Sequence, residues 1–208
     1  MSARGRVRTA VLISGRGSNL AALLSAAEDA GFPAEIVLVI SNVERAAGVR
    51  VAEDANVPCR IIPHGAFPSR EAFDAAIDAA LKEARVELVL EAGFMRIHSD
   101  GFVRKWEGRI LNIHPSLLPA FKGLNVHQRV LESGVSITGC TVHFIVAELD
   151  SGPIILQAEV PVEAGDTKAS LAARVLAVEH KLYPEALRMV ASGRVKLENG
   201  VAVFGEDC

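Results

Sequence analysis

Asn112, His114 and Asp150 are the side chains in this sequence whose types and spacing suit chemistry. Asn112 and His114 lie two residues apart in LNIHPSLLPAFKG (111–123). On an extended strand that spacing puts both on one face. Pro115 follows at once and cannot continue the strand's hydrogen-bond ladder. An imidazole can exchange a proton with an attacking or leaving nitrogen. An amide N–H can stabilise a developing oxyanion. A carboxylate such as Asp150 can orient the imidazole or help move its proton. The sequence holds no G-x-S-x-G elbow and no cysteine in a suggestive context. Direct transfer of an acyl group between two bound substrates therefore fits better than a covalent acyl-enzyme. The bland alternatives are a strand end with a surface polar pair, and a turn-forming Asp150 ahead of Ser-Gly-Pro. His143 alternates with Val142 and Phe144 and reads as a structural histidine. His127 reads as helical with no legible role, and His64 as a loop residue.

A second constellation sits near the N-terminus, in ISGRGSNL. Gly15 and Gly17 permit a tight strand-to-helix turn, and Ser18 or Asn19 can cap the helix. Free N–H groups at a helix start attract an anion. The dinucleotide fingerprint is absent: position 20 is leucine, and the next strand ends in Ser41-Asn42 rather than an acid. The loop suits a single phosphate, with a plain glycine-containing turn as the other reading.

Apolar strands separated by amphipathic helices must position these groups. Val7–Ser14, Ile36–Ile40, Arg60–Ile62, Glu87–Leu90 and Arg109–Ile113 read as strands. Ser18–Ala30, Arg45–Ala55 (with Gly48 as a weak spot) and Ser69–Ala84 read as the helices between them. Thr138–Ala147 and Ile154–Val160 read as antiparallel strands, followed by a long helix, Thr167–Val190, which Pro184 should kink or interrupt. Asn199-Gly200 suits a two-residue hairpin turn. The expected class is α/β: an open, mostly parallel Rossmann-like sheet, helices on both faces, and an antiparallel C-terminal part. Ligands of such sheets bind beyond the carboxyl ends of the strands, which is where the glycine loop, Asn112 and His114 fall.

Half of the 208 residues are hydrophobic, enough for a substantial core. The formal net charge of −3 argues against a nucleic-acid surface. Arg4, Arg6 and Arg8 read as a short basic frayed end. No apolar run is long enough for a signal peptide or membrane span, so a cytoplasmic protein is expected. Cys59, Cys140 and Cys208 are too scattered for a disulfide framework or a zinc cluster.

NIHPSLLP and ELDSGPII, downstream of ISGRGSN and AGFMRI, strongly resemble the phosphoribosylglycinamide formyltransferases, folate-dependent enzymes of purine synthesis. The resemblance runs from about Val7 to about Val190. It implies formyl transfer from 10-formyltetrahydrofolate, a co-substrate, to the amine of glycinamide ribonucleotide, without a metal. It also implies small-molecule substrates only, and a monomer or homodimer. Asn112, His114 and Asp150 match the catalytic trio. Gly17, Ser18 and Asn19 match the loop for the ribonucleotide phosphate, and Glu179 the acid at its ribose. Met95, Arg96, Ile97 and His98 match the segment along the folate, Arg70 another folate-linked position, and Val146, Ala147, Glu148, Leu149 and Asp150 the loop over the pterin. Arg16 and His98 depart from the family pattern. Arg16 could add a phosphate contact or face solvent, and His98 is expected to offer backbone or surface contacts. The whole chain, 1–208, is expected to be one formyltransferase domain, with a nucleotide half at about 7–115 and a folate-side half at about 116–208.

The rivals are a methionyl-tRNA or sugar-nucleotide formyltransferase, a formyltetrahydrofolate hydrolase, and a nucleotide-binding module without chemistry. The tRNA enzyme normally carries a basic C-terminal domain, where little follows Val190 here. The hydrolase would need a regulatory domain before the first strand. The binding module leaves Asn112, His114 and Asp150 without a purpose.

Overall fold

The computed structural model describes residues 5–205, so Arg4 and Cys208 lie outside the described residues. A seven-stranded sheet runs in the order β3-β2-β1-β4-β5-β6-β7. Its strands are β1 (Val7–Ile13), β2 (Ala34–Ser41), β3 (Cys59–Ile61), β4 (Leu88–Glu91), β5 (Ile110–His114), β6 (Ile137–Phe144) and β7 (Ile154–Pro161). The first five are parallel, and β6 and β7 add antiparallel. The helices are α1 (Ser18–Ala27), α2 (Ala47–Asp54), α3 (Arg70–Glu83), α4 (Asp100–Lys105), α5 (Val126–Ser133) and α6 (Lys168–Ala191).

Strand parity sorts the core into two faces. Val11 and Ile13 of β1 pack with Leu20 and Leu23 of α1 and Tyr183 and Leu187 of α6. Ala10 and Leu12, one residue out of phase, pack with Phe73, Ile77 and Leu81 of α3, Phe102 of α4 and Trp106 just after it. This two-sided cover is why the parallel strands are apolar throughout. A third cluster, with Val126, Val130, Leu171 and Val175, seats α5 and the start of α6 on β6 and β7.

The chain winds outward from β1 to β3, returns to β4 beside β1, and continues the other way. The order reverses between β1 and β4, so a crevice opens there at the carboxyl ends of the strands.

Several details depart from the sequence expectations. Helix α6 runs through Pro184 without interruption, because packing against α1, β6 and β7 outweighs the one backbone bond that proline removes. Arg6 is not frayed: its Nε donates to the carbonyls of Phe32 and Ala34, and Arg8 pairs with Glu35 at 3.1 Å. Gly48 is a contact rather than a weak spot. Its N–H donates to the Gly15 carbonyl at 3.0 Å, and a Cβ on Gly17, which sits at φ 77°, would lie 2.5 Å from the Gly48 Cα. Bare backbone on both sides lets the loop after β1 close onto α2. The terminal hairpin, β8 (Val195–Glu198) and β9 (Val201–Phe204), turns at Asn199 and Gly200, both at positive φ as expected.

Candidate active site

Strand β5 delivers Asn112 and His114 to one rim of the crevice, and its antiparallel partner β6 sets His143 directly opposite Asn112. The loop between β6 and β7 brings Asp150 to the same place. All four side chains line one cavity of about 690 Å³.

The hydrogen bonds fix which atom faces which. His143 Nδ1 lies 2.8 Å from the Phe144 carbonyl. A carbonyl only accepts, so Nδ1 carries the proton and Nε2 is left as an acceptor. Asn112 Nδ2 donates to that Nε2 at 3.2 Å. Burial pushes the His143 pKa down, outweighing the opposing pull of the Phe144 carbonyl and Asp150, and so keeps the ring in this neutral form. His143 therefore orients the Asn112 amide, with one N–H engaged and the other free. Alternation with Val142 and Phe144 shows only a structural histidine; the register that pairs His143 with Asn112, two residues along from the Thr141–His114 pair, gives it this role.

His114 Nε2 donates to the Phe121 carbonyl at 3.0 Å. This leaves Nδ1 facing Asp150 Oδ2 at 3.5 Å. Asp150 does not itself hold the ring at hydrogen-bond length; the Phe121 carbonyl does. The carboxylate is held instead by the Gly123 N–H, which donates to Oδ2 at 2.7 Å, while Oδ1 lies 4.0 Å from His143 Nε2. Asp150 takes a left-handed backbone, φ 49°, and Gly152 then passes so close to β6 that a Cβ there would overlap the Phe144 carbonyl oxygen. The prolyl loop 115–119 is fixed from behind. Thr141 Oγ1 donates to the Ser116 carbonyl and accepts from the Leu118 N–H, and Gln157 donates to the Leu118 carbonyl.

Met95, Arg96, Ile97 and His98 also line the cavity, as do Val146, Ala147, Glu148 and Leu149. Met95 and Ile97 expose 63% and 55% of their surface at its mouth, apolar area free to meet a ligand. His98 departs from expectation: its side chain is buried, between Asp74 Oδ1 at 2.7 Å and Glu91 Oε1 at 2.8 Å. Arg70 is exposed at the start of α3 and does not line the cavity. Arg16 is also exposed.

The glycine loop lies outside this cavity, beyond β4. Gly17 itself is the N-cap of α1, and no side chain caps the helix. The first-turn N–H groups are thus open to an anion rather than satisfied by Ser18 or Asn19. Asn19 Nδ2 instead donates to Glu179 Oε2 at 2.8 Å, joining α6 to the loop. Burial raises the Glu179 pKa and the Asn19 bond opposes that. Asn19 Oδ1 is buried with no protein partner. At about 4.8 Å per strand, the ends of β1 and β5 stand roughly 10 Å apart across β4.

The Cys140 thiol is pushed up to about 12 by burial and by Glu179, so it is no nucleophile. Among the described residues, no group of three His, Cys, Asp or Glu side chains is placed to hold a metal ion, and no helix is long and apolar enough to cross a membrane.

The formyl transferase family model matches residues 7–187. The chain belongs to the formyl transferase family. It is 43% identical over 192 residues to phosphoribosylglycinamide formyltransferase of Escherichia coli, covering 92% of this chain and 91% of that protein. It is 55% identical over 196 residues to the trifunctional purine biosynthetic protein adenosine-3 of Bos taurus, covering 94% of this chain and 19% of that protein. The chain thus spans about a fifth of the length of that relative. The crystal structure of glycinamide ribonucleotide transformylase 1 from Symbiobacterium toebii superposes with a TM-score of 0.93 at 46% identity, covering 97% of this chain and 95% of that one. This formyl transferase shares their α/β architecture, with the terminal hairpin as a separate two-stranded sheet.

Proposed function

We propose that this chain transfers the formyl group of 10-formyltetrahydrofolate to the primary amine of glycinamide ribonucleotide, in the cytoplasm. The observation that carries the reading is the convergence of Asn112, His114 and Asp150 in one cavity, in a chain that matches E. coli phosphoribosylglycinamide formyltransferase over most of both lengths. The chain acts as a single domain, supported by a sheet that runs unbroken from β5 into β6.

The folate lies in the cavity, along residues 95–98 and under the loop 146–150, with Arg70 reaching it from outside. The ribonucleotide phosphate sits on the open N–H groups at Gly17, Ser18 and Asn19, and Glu179 meets the ribose. A phosphoribosyl group with a short amine arm spans the roughly 10 Å from that loop to the end of β5. Both halves of the chain contribute to both substrates.

The amine attacks the formyl carbon and a C–N bond forms. The carbonyl electrons move to oxygen, and the free N–H of Asn112 donates to that oxyanion. The bond to the folate N10 then breaks. The amine loses one proton and N10 gains one. His114 Nδ1 and Asp150 form the relay for it, because Nε2 is occupied by the Phe121 carbonyl. Holding amine and formyl carbon in contact supplies much of the remaining acceleration.

The test is a substrate panel. The purified chain is given 10-formyltetrahydrofolate with glycinamide ribonucleotide, charged initiator tRNA, an amino-sugar nucleotide or water alone, and products are resolved by mass. Formylglycinamide ribonucleotide should dominate. Formylation of the tRNA or sugar, or release of formate alone, would reassign the enzyme within its family.

A further inference from the structure

The group with no role in the chemistry above is a buried cluster of three ionisable side chains behind the folate-facing segment. His98 Nδ1 meets Asp74 Oδ1 of α3 at 2.7 Å, and Nε2 meets Glu91 Oε1 of β4 at 2.8 Å. The Ser99 N–H donates to the other Asp74 oxygen at 2.6 Å, and the ring is stacked between Phe94 and Phe102, with centroids 5.4 and 4.2 Å away. The His98 and Asp74 side chains are 2% and 3% exposed.

The Nδ1–Asp74 contact is a hydrogen bond, whereas Nε2 and Glu91 Oε1 approach closely without hydrogen-bond alignment, so an acidic oxygen lies at each ring nitrogen. Burial pushes the His98 pKa down, but Asp74 and Glu91 outweigh it and raise it to about 9. Burial raises Glu91, against the pull of His98, and nearby Asp150 and Asp74 push it the same way. For Asp74 burial is outweighed by His98 and the Ser99 N–H, which hold it low. Tyr183 of α6 donates its hydroxyl to the Glu91 backbone carbonyl at 3.0 Å, and burial, helped by the Glu91 charge, raises the Tyr183 pKa.

Residues 92–99 form no helix or strand, and Met95 and Ile97 project from the surface. Between 92 and 98 only Ala92, Phe94 and His98 are buried, and the residues between them face outward. The segment is anchored by the Ala92 N–H on the Leu12 carbonyl at 2.9 Å, by Phe94 in the core, by the Met95 N–H, which donates to Ser14 Oγ at 2.7 Å, and at its far end by His98. Glu91 is also the register partner of Asn112 on β5, and Glu91 and His98 both line the cavity. An apolar pair in their places would be the simpler way to fill the space.

We propose that His98, clamped between Asp74 and Glu91, is a positioning residue that fixes the segment 93–97 for the folate co-substrate. The inference rests on the folate reading of the cavity. His98→Leu leaves two buried carboxylates without their cation, so the segment loses the anchor at its far end. The loss falls on the KM for 10-formyltetrahydrofolate, which should rise by about tenfold or more, the scale of an unsatisfied buried group. The KM for glycinamide ribonucleotide should change much less.

The discriminating readout is a profile of both KM values from pH 7 to 10. Pairing with a raised histidine is complete below the ordinary histidine range and is lost as pH rises through about 9. In the wild-type chain the folate KM should climb through that interval while the ribonucleotide KM does not follow it. Glu91→Leu/His98→Leu, which removes the cation with one of its carboxylates, guards against a single variant that fails to fold, and its folate KM should show no such climb. A wild-type folate KM in His98→Leu, or an unchanged alkaline climb in the double variant, overturns the clamp while leaving formyl transfer intact. A wild-type chain that binds no formylfolate removes both readings.

Discussion

Exchanging His114 for alanine lowers the kcat of formyl transfer by about 10²–10⁴-fold, the span of positioned acid–base catalysis. That is roughly 3–5 kcal/mol of lost transition-state stabilisation. The size follows from the geometry: His114 Nδ1 is the ring nitrogen that faces Asp150, and Nε2 is spent on the Phe121 carbonyl. His114→Gln separates chemistry from architecture. Its amide can still donate toward Phe121, yet it cannot exchange a proton at neutral pH, so it should be as slow as the alanine variant. Steady-state kinetics with both substrates saturating decide the matter, and near-wild-type kcat in either variant would remove His114 from the chemistry.

The second large effect is expected at Asn112. Asn112→Ala removes the amide aimed into the cavity, and kcat should fall by about 10²–10³-fold, as for other single oxyanion donors. Asn112→Asp keeps the shape but puts a carboxylate where negative charge develops, so it should be at least as slow. His143 belongs to the same expectation, since its bare Nε2 accepts from the Asn112 amide. Single-turnover rates after mixing enzyme, formylfolate and ribonucleotide isolate this step. Loss confined to KM, with kcat preserved, would make Asn112 a binding group only.

Much of the framework was legible because it is written in local periodicity. The five parallel strands, the β6–β7 pair and the long α6 all announce themselves as apolar runs or stripes, and Pro115 and Asn199-Gly200 mark their ends. The six-residue helix α4 was not legible, being too short to show a period. Gly48 looked like a helix defect because its partner, Gly17, lies on another element. His98 failed for the same reason on a larger scale. Its two carboxylates come from α3 and β4, and only Glu91, closing the apolar run LVLE, hinted at a buried charge. The residue types of the site were readable, but the atoms were not. That Phe121 rather than Asp150 holds the His114 ring, and that Gly123 holds Asp150, depends on backbone groups whose positions no side-chain pattern encodes.

The relay itself is tested most directly by a kinetic cycle on His114 and Asp150. kcat is measured for His114→Ala, Asp150→Ala and the double variant, under saturating substrates. If the carboxylate acts through the imidazole, removing it from a chain that already lacks the ring costs little, and the double variant stays within about threefold of the slower single one. If the two losses multiply, Asp150 and His114 work independently, and the shared proton path proposed for this site is wrong.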